Sequence, residues 1–306
     1  MKKASNVGPS YSFLDFAWTG DGKNPCRWIM QAVKEYTIDE HIVGDLKTWF
    51  EEYISSFSMR DPDLRQNILL KKEHTARVVE EIVSVGTELG LDESEIALAE
   101  VMALFHDIGR FEQYLRYRTF VDSKSVNHAE FGVKILQQRN VLAGMNPPTR
   151  SLVLKVIAFH NRAHLRDIED PVCLFYTRLL RDADKLDIYR VVTEYYTGTK
   201  AEKNKAVELD LPDTPEISGE VFRDVMAQRV IEHTQLKTLN DFKLLQLAWI
   251  FDINFTPTLR RVCDRGYLQM ILNTLPDVPQ TQEISQVIDT YLRKRTAVTR
   301  NGSAVS

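Results

Sequence analysis

Six side chains of the kinds that bind metal ions interrupt apolar helical patterns in this chain of 306 residues, and they constrain its fold most. They are His74, His106, Asp107, His128, His160 and Asp184. Four of the seven histidines therefore stand where a helical protein would ordinarily place Val or Leu. Burying imidazole or carboxylate groups is costly unless a partner compensates them, and a metal ion is a common partner for both. The pattern predicts that these side chains converge on bound metal.

His106 and Asp107 occupy the last turn of an apolar segment that includes Val101, Leu104 and Phe105. Adjacent residues of a helix point about 100° apart, so both side chains can converge only on something seated at the helix end. A carboxylate at the carboxyl end of a buried helix also faces the negative end of the helix dipole. A divalent cation at that point would remove the conflict.

The other four side chains lie on apolar stripes as well. His74 shares a helical face with Val78, and Asp184 shares one with Leu180. The remaining two histidines open and close two further apolar helices. For any single position, a satisfied core histidine or a helix-capping role is the simpler interpretation. The recurrence of the pattern at every position favours a shared metal site.

Imidazole and carboxylate ligands without a thiolate suit Fe, Mn, Ni, Co or Zn, and they argue against a structural cysteine-rich zinc site. Six ligands are too many for one catalytic ion that must keep open coordination positions. They suit two divalent ions with one bridging carboxylate. Two ions about 3.5–4 Å apart can share a hydroxide and clamp the oxygens of a displacement at phosphorus.

Composition excludes several classes of partner. The net charge of −4 and the lack of long Lys/Arg runs argue against binding to a nucleic-acid polymer. The three cysteines (Cys26, Cys173 and Cys263) are widely spaced and odd in number, which is typical of reduced thiols. No window is long and apolar enough for a membrane-spanning helix. We therefore expect a cytoplasmic protein without a membrane partner, and a homo-oligomer is compatible with the sequence.

Helical periodicity recurs along the chain and strand alternation is almost absent, which predicts an all-α fold. We expect an N-terminal arm and helix over residues 1–60 and a metal-binding core over 61–196. A loop and a C-terminal helical subdomain, packed on that core, are expected over 197–306. The polar stretch 197–215 predicts a surface loop, with a lid over the site as the alternative.

The ordered set His74, His106-Asp107 and Asp184 resembles the defining pattern of the HD-domain metal-dependent phosphohydrolases. The two further histidines resemble the subset of that family that holds two metals. Three local strings carry the likeness: HDIGR over 106–110, NHAEFG over 127–132 and ADKL over 183–186. The resemblance covers roughly residues 64–190. The chain lacks the downstream Gly-Tyr-Pro motif of members that cleave cyclic dinucleotides, which argues against that activity, and no synthetase partner domain for guanosine alarmone metabolism is present.

The resemblance implies a bundle of five or more helices around the metals. It places a first ion on His74, His106, Asp107 and Asp184, with Asp107 bridging to a second ion that His128 and His160 hold. It implies hydrolysis of a phosphate ester or anhydride of a nucleotide or another small phosphorylated metabolite by a metal-activated water. The enzyme would be a phosphomonoesterase or phosphodiesterase, and Asp107 would be its most sensitive catalytic position.

Four basic residues flank the expected ligands and are candidates for binding substrate phosphate. They are Arg77, Arg110, Lys124 and Lys185. Ordinary ion pairs are the alternative for each of them. Arg77 could orient a ligand carboxylate instead, and Lys185 could pair with a nearby acid.

Two other functions are compatible with these ligands. A mixed-valent di-iron oxygenase, similar to inositol oxygenase, uses the same ligand types on similar helices. A sensor or scaffold would hold the metal in a closed, fully ligated site.

Overall fold

The computed structural model describes residues 36–58, 60–198, 208–209 and 211–302, with side chains described up to residue 295. Throughout these ranges the regular structure is helical and no strand occurs, so the predicted all-α class is confirmed. The α-helices are α1 (Glu40–Ser55), α2 (Pro62–Glu88), α3 (Glu93–Phe105), α4 (Ile108–Tyr117), α5 (His128–Gln138), α6 (Pro147–Phe159), α7 (Pro171–Thr197), α8 (Gly219–Met226), α9 (Leu239–Ala248), α10 (Thr256–Asp264), α11 (Tyr267–Leu272) and α12 (Pro279–Gly302). Short 3-10 turns cover Asp122–Lys124, His233–Gln235 and Trp249–Asp252.

Local capping explains where the long helices begin. The Asp61 side chain accepts hydrogen bonds from the backbone N–H groups of Asp63 and Leu64, and Pro62 occupies the first turn of α2. At the start of α3, Asp92 and Glu95 form a reciprocal capping box. The capping signals in the sequence predict helix starts near Leu64 and within residues 92–94, and the observed starts at Pro62 and Glu93 lie within two residues of them.

The chain between α3 and α4 departs from the prediction. The apolar pattern through Ile96, Val101 and Phe105 predicts one helix that stops near Gly109, but α3 ends at Phe105 and α4 begins at Ile108. Asp107 breaks the helix with φ −102° and ψ 14° and is the N-cap residue of α4. Its carboxylate therefore lies at the favourable amino end of α4 as well as at the carboxyl end of α3.

The core of the fold is a set of helices packed around α2 and α7. The long helix α2 packs against α3, α4 and α7, while α4 packs on α5, α5 on α6, and α6 on α7. Helix α1 covers α3 with an aromatic cluster in which Trp49 and Phe50 lie edge-on to Phe105. This arrangement brings the interiors of α2 and α7 together with the ends of α3, α5 and α6.

A glycine pair allows α4 and α5 to approach closely. A Cβ atom at Gly109 would lie 2.2 Å from the carbonyl oxygen of His128 and 2.7 Å from the backbone nitrogen of Gly132. A Cβ atom at Gly132 would in turn lie 3.2 Å from the backbone nitrogen of Gly109. Only glycine fits at residue 109 without moving the backbone that carries His128.

The region after α7 is anchored to α7 by buried polar groups. Asp182 is fully buried and accepts hydrogen bonds from the backbone N–H groups of Asn254 (3.1 Å) and Phe255 (2.9 Å). The carboxylate of Asp252 lies 2.6 Å from an Nη atom of Arg181 and 2.5 Å from Lys185 Nζ. Because Asp182 precedes Asp184 by two residues and points to another helical face, the sequence predicts a surface or metal-adjacent position for it. That prediction is wrong, since Asp182 lies in the core.

The predicted N-terminal arm and polar loop fall largely outside the part of the chain that the structure describes. Residues 1–35, residues 199–207 and residue 210 lie outside the described residues, and with them most of the N-terminal arm and much of the polar loop. No helix in the described ranges is long and apolar enough to cross a membrane.

Candidate metal centre

The six expected ligands lie in two adjacent groups. His74, His106 and Asp184 form one group, and Asp107, His128 and His160 form the other. Within each group the candidate ligand atoms all lie within 4.8 Å of one another. Five of the six residues are buried and Asp184 is partly buried, so the groups sit inside the fold.

In the first group, His74 Nε2 lies 3.1 Å from Asp184 Oδ1. His106 Nε2 lies 3.4 Å from His74 Nε2 and 3.7 Å from the same Asp184 oxygen. These three side chains come from the middle of α2, the end of α3 and the middle of α7. Residues that are far apart in sequence thus present one carboxylate oxygen and two imidazole nitrogens to a common point.

The two oxygens of Asp107 face different groups. Asp107 Oδ2 lies 3.5 Å from His74 Nε2 and 3.6 Å from His106 Nε2. Asp107 Oδ1 lies 3.4 Å from His128 Nε2, which is itself 3.2 Å from His160 Nε2. A carboxylate placed in this way is suited to bridge two ions, as the family resemblance implies.

The backbone break between α3 and α4 is what allows His106 and Asp107 to share the site. His106 keeps helical backbone angles at the end of α3, whereas Asp107 leaves them. Because of that change, neighbouring side chains that would diverge on a continuous helix reach the same cluster.

Each histidine ring is held in one orientation by its Nδ1 atom. His106 Nδ1 lies 2.7 Å from the carbonyl oxygen of Ala103, and His160 Nδ1 lies 2.7 Å from that of Ile157. Because a carbonyl oxygen only accepts, the proton lies on Nδ1 in both rings. The Nε2 atoms are left with lone pairs that point into the cluster, which is the usual arrangement of a histidine that ligates a metal.

Carboxylates hold the other two rings, and an arginine holds each carboxylate. His74 Nδ1 lies 2.6 Å from Asp187 Oδ2, and Arg77 Nε donates to Asp187 Oδ1 at 2.5 Å. These contacts draw the Asp187 pKa below its ordinary value, although burial opposes the shift.

On the other side of the cluster, His128 Nδ1 lies 2.7 Å from Asp122 Oδ2, and Arg110 donates to Asp122 Oδ1 at 2.8 Å. The hydrogen bond from His128 and the charge of Arg110 lower the Asp122 pKa against the effect of burial. The two groups are therefore supported by separate arginine–aspartate–histidine chains.

The electrostatics give the protonation states that metal binding requires. Burial lowers the pKa of His106 and His128 and lowers that of His160 to about 3, so these rings are neutral at pH 7. Burial alone would raise the pKa of Asp107, but the positive charges of Lys71 and Arg110 help to lower it well below its usual range. Neutral imidazoles and ionised carboxylates are the forms that bind divalent ions.

His74 is the exception. Burial and Lys71 lower its pKa, yet hydrogen bonds to Asp184 and Asp187 outweigh them and raise it. The two carboxylates therefore favour positive charge at His74, which is the charge that a metal ion would supply at this point.

The His128–His160 contact tests whether the residues fit a metal. Both rings are neutral, and both use Nδ1 toward an oxygen, so two Nε2 lone pairs face each other at 3.2 Å with no hydrogen between them. A cation between the two nitrogens would remove the repulsion between these lone pairs. The donor set, imidazole and carboxylate without thiolate, suits a divalent transition metal.

The four expected phosphate-binding residues lie in different surroundings. Arg77 pairs with Asp187, and Arg110 pairs with Asp122 while its Nε lies 3.5 Å from Asp107 Oδ1. Lys124 is exposed on the 3-10 turn Asp122–Lys124.

Lys185 is buried, and its ammonium pairs with Asp252 at 2.5 Å, which matches the alternative of a nearby acid. His164, which has the i+4 spacing from His160 of a helical metal site, is exposed beyond the end of α6.

Sequence reasoning missed three residues of the site. Lys71 Nζ lies 2.7 Å from Asp107 Oδ2, and Asp187 and Asp122 orient His74 and His128. Lys71 precedes His74 by three residues and Asp187 follows Asp184 by three, so helical spacing could have indicated both. Asp122 lies in a short irregular turn where no periodicity applies.

We expect the two supporting carboxylates to act on separate ions. Asp187→Asn should weaken binding of one metal equivalent by about 10- to 100-fold, and Asp122→Asn should do the same to the other. Metal titration followed by elemental analysis after dialysis measures both affinities. Asp289→Asn, an exposed position on α12, is the control. Equal loss of both equivalents in each variant would contradict two separately supported groups.

Comparison with known proteins gives one result. Residues 72–189 match the family model of the HD domain, which lies inside the core expected over 61–196. No curated protein and no solved structure matches the chain. The matched range contains all six clustered ligands. The match over residues 72–189 supports the resemblance to the HD-domain metal-dependent phosphohydrolases.

Proposed function

We propose that the protein is a metal-dependent phosphohydrolase that cleaves a phosphate ester or anhydride of a nucleotide or another small phosphorylated metabolite. The observation that carries the proposal is the pair of buried ligand groups joined by the two oxygens of Asp107. A buried pair of this kind suits displacement at phosphorus, where attacking and leaving oxygens both need positive charge.

In this proposal His74, His106, Asp107 and Asp184 would hold one ion. His128 and His160, together with Asp107, would hold the other. When bound, such ions supply a water of lowered pKa and positive charge for the phosphoryl oxygens. We propose two divalent ions, drawn from Fe, Mn, Ni, Co or Zn.

The protein's own groups supply orientation and a fixed electrostatic environment. The Nδ1 contacts hold all four rings, so little reorganisation is needed when substrate arrives. Arg110 is held by Asp122 and by the carbonyl oxygen of Phe120, with its Nε directed toward Asp107. This arginine is placed to attract the oxygens of a phosphoryl group beside the bridging carboxylate.

An anaerobic substrate panel tests the proposal. The protein is stripped of metal, reconstituted separately with Mn, Co, Fe, Ni or Zn, and assayed for phosphate release from nucleotides and sugar phosphates. We expect release with at least one metal, at two equivalents per chain, and none after chelation. Full reconstitution without phosphate release from any substrate would contradict the proposal. Oxygen-dependent substrate consumption by the iron form alone would indicate an oxygenase instead, and a saturated, inert site would indicate a sensor.

A further inference from the structure

The ammonium group of Lys71 pairs with Asp107, which is itself one of the proposed metal ligands. Its Nζ lies 2.7 Å from Asp107 Oδ2, the oxygen that faces His74 and His106. Arg77 and Arg110, by contrast, are each matched by a supporting carboxylate, Asp187 and Asp122. Among the described residues, no second carboxylate pairs with Lys71. Once Asp107 is bound to metal, the charge of Lys71 is therefore available to an anion that enters the site.

The position of Lys71 suits an incoming ligand. Its side chain is 17% exposed, whereas that of Asp107 is 4% exposed, so Lys71 is more accessible to an incoming ligand than the carboxylate it contacts. Lys71 and Arg110 approach Asp107 at different oxygens, Oδ2 and Oδ1. Both cations also lie over the Phe120 ring, at 5.4 and 5.8 Å from its centroid. The aromatic face keeps the two positive charges at the same edge of the site.

We propose that Lys71 binds a non-bridging oxygen of the substrate phosphate and that it directs the site toward phosphomonoesters. This inference rests on the proposed function and makes it more specific. A phosphomonoester carries two negative charges and three non-bridging oxygens, whereas a diester carries one charge and two such oxygens. If two ions each contact one non-bridging oxygen, a monoester still has a third oxygen for an ammonium group, whereas a diester has none left. An ammonium group binds phosphate as a compact point charge.

Inorganic phosphate is the probe for this role, because it has the terminal group of a monoester and needs no turnover. Lys71→Met should weaken phosphate binding to the metal-loaded protein by about 10- to 100-fold in calorimetric titration. Metal content should stay at the wild-type level, because the variant removes a cation from Asp107 and leaves all six ligands. The ratio of hydrolysis of p-nitrophenyl phosphate to that of bis(p-nitrophenyl) phosphate should fall with it.

Lys72→Met is the matched control. Lys72 is the next residue of α2 and carries the same charge, but it pairs with Glu51 at 2.6 Å on an exposed surface. We expect wild-type phosphate affinity and selectivity from it. Lys71→Arg, which keeps the charge, should retain most of the affinity and also serves if the methionine variant fails to fold.

The outcomes separate this inference from the proposed function. Wild-type phosphate affinity in Lys71→Met, or loss of metal together with phosphate, would overturn the role of Lys71 while hydrolysis by the wild type stands. A wild-type protein that is fully loaded with metal, yet binds no phosphate and hydrolyses no phosphorylated compound, would overturn both.

Discussion

Asp107→Ala is expected to lower the turnover of a phosphorylated substrate by roughly 1,000-fold or more, since it removes the carboxylate placed to share its oxygens between two ions. Oδ2 lies within 3.6 Å of His74 and His106, and Oδ1 lies 3.4 Å from His128. Without these oxygens, each ion loses a negatively charged ligand. Elemental analysis after dialysis should therefore show loss of both ions along with the activity, while the helical circular-dichroism signal is largely retained.

Asp45→Ala provides the comparison, because Asp45 is an exposed aspartate on α1. It should keep both metal content and turnover. An Asp107→Ala protein with full activity would refute the assignment of the centre. Loss of activity with both ions retained would place Asp107 in the chemistry but not in metal binding.

Gly109→Ala should have the largest effect on stability among single methyl additions at the site. The new Cβ would lie 2.2 Å from the carbonyl oxygen of His128 and 2.7 Å from the nitrogen of Gly132, so α4 and α5 must separate. Both contacts are to backbone, which cannot move aside as a flexible side chain would. We expect a loss of about 3 kcal/mol in the free energy of unfolding, measured by urea denaturation. Since the displaced backbone carries His128, affinity for one metal equivalent should fall as well.

The matched variant is Gly44→Ala within α1. A Cβ at Gly44 meets no atom within 4 Å, and the position is exposed in a helix. Replacing a helical glycine by alanine should raise stability by about 0.5–1 kcal/mol. If Gly109→Ala were equally well tolerated, the close approach of α4 and α5 would not be required for the fold.

The ligands of the candidate centre could be predicted because each is a polar group on an apolar stripe. His74 shares a helical face with Val78 and Ile82, and Asp184 shares one with Leu180 and Ile188. Periodicity reports which residues point inward, and six inward-pointing metal-binding groups have few explanations. The start of α2 was predictable for a similar local reason, because Asp61 and Pro62 are strong helix-start signals.

Other features depend on contacts between distant parts of the chain, which periodicity does not report. The break at Asp107 allows two adjacent side chains to reach one point. The sequence pattern over residues 101–109 predicts one continuous helix and gives no sign of this break. Asp182 was expected outside the core, but the backbone N–H groups that satisfy it lie 72 and 73 residues later. The support of His128 by Asp122 depends in the same way on a turn without regular spacing.

The contacts of Arg181 connect the candidate centre to residues outside the matched range 72–189. One Nη atom of Arg181 donates to the carbonyl oxygens of His160 (2.8 Å) and Arg162 (2.5 Å), while the other binds Asp252. Asp252 lies outside residues 72–189, yet it neutralises Arg181 and Lys185 inside the fold. A fragment trimmed to the family boundaries would lack the carboxylate that pairs with these two cations, one of which donates to the backbone of the candidate ligand His160. The later helices are therefore part of the scaffold of the candidate centre, and a fragment that preserves this scaffold must extend past residue 252.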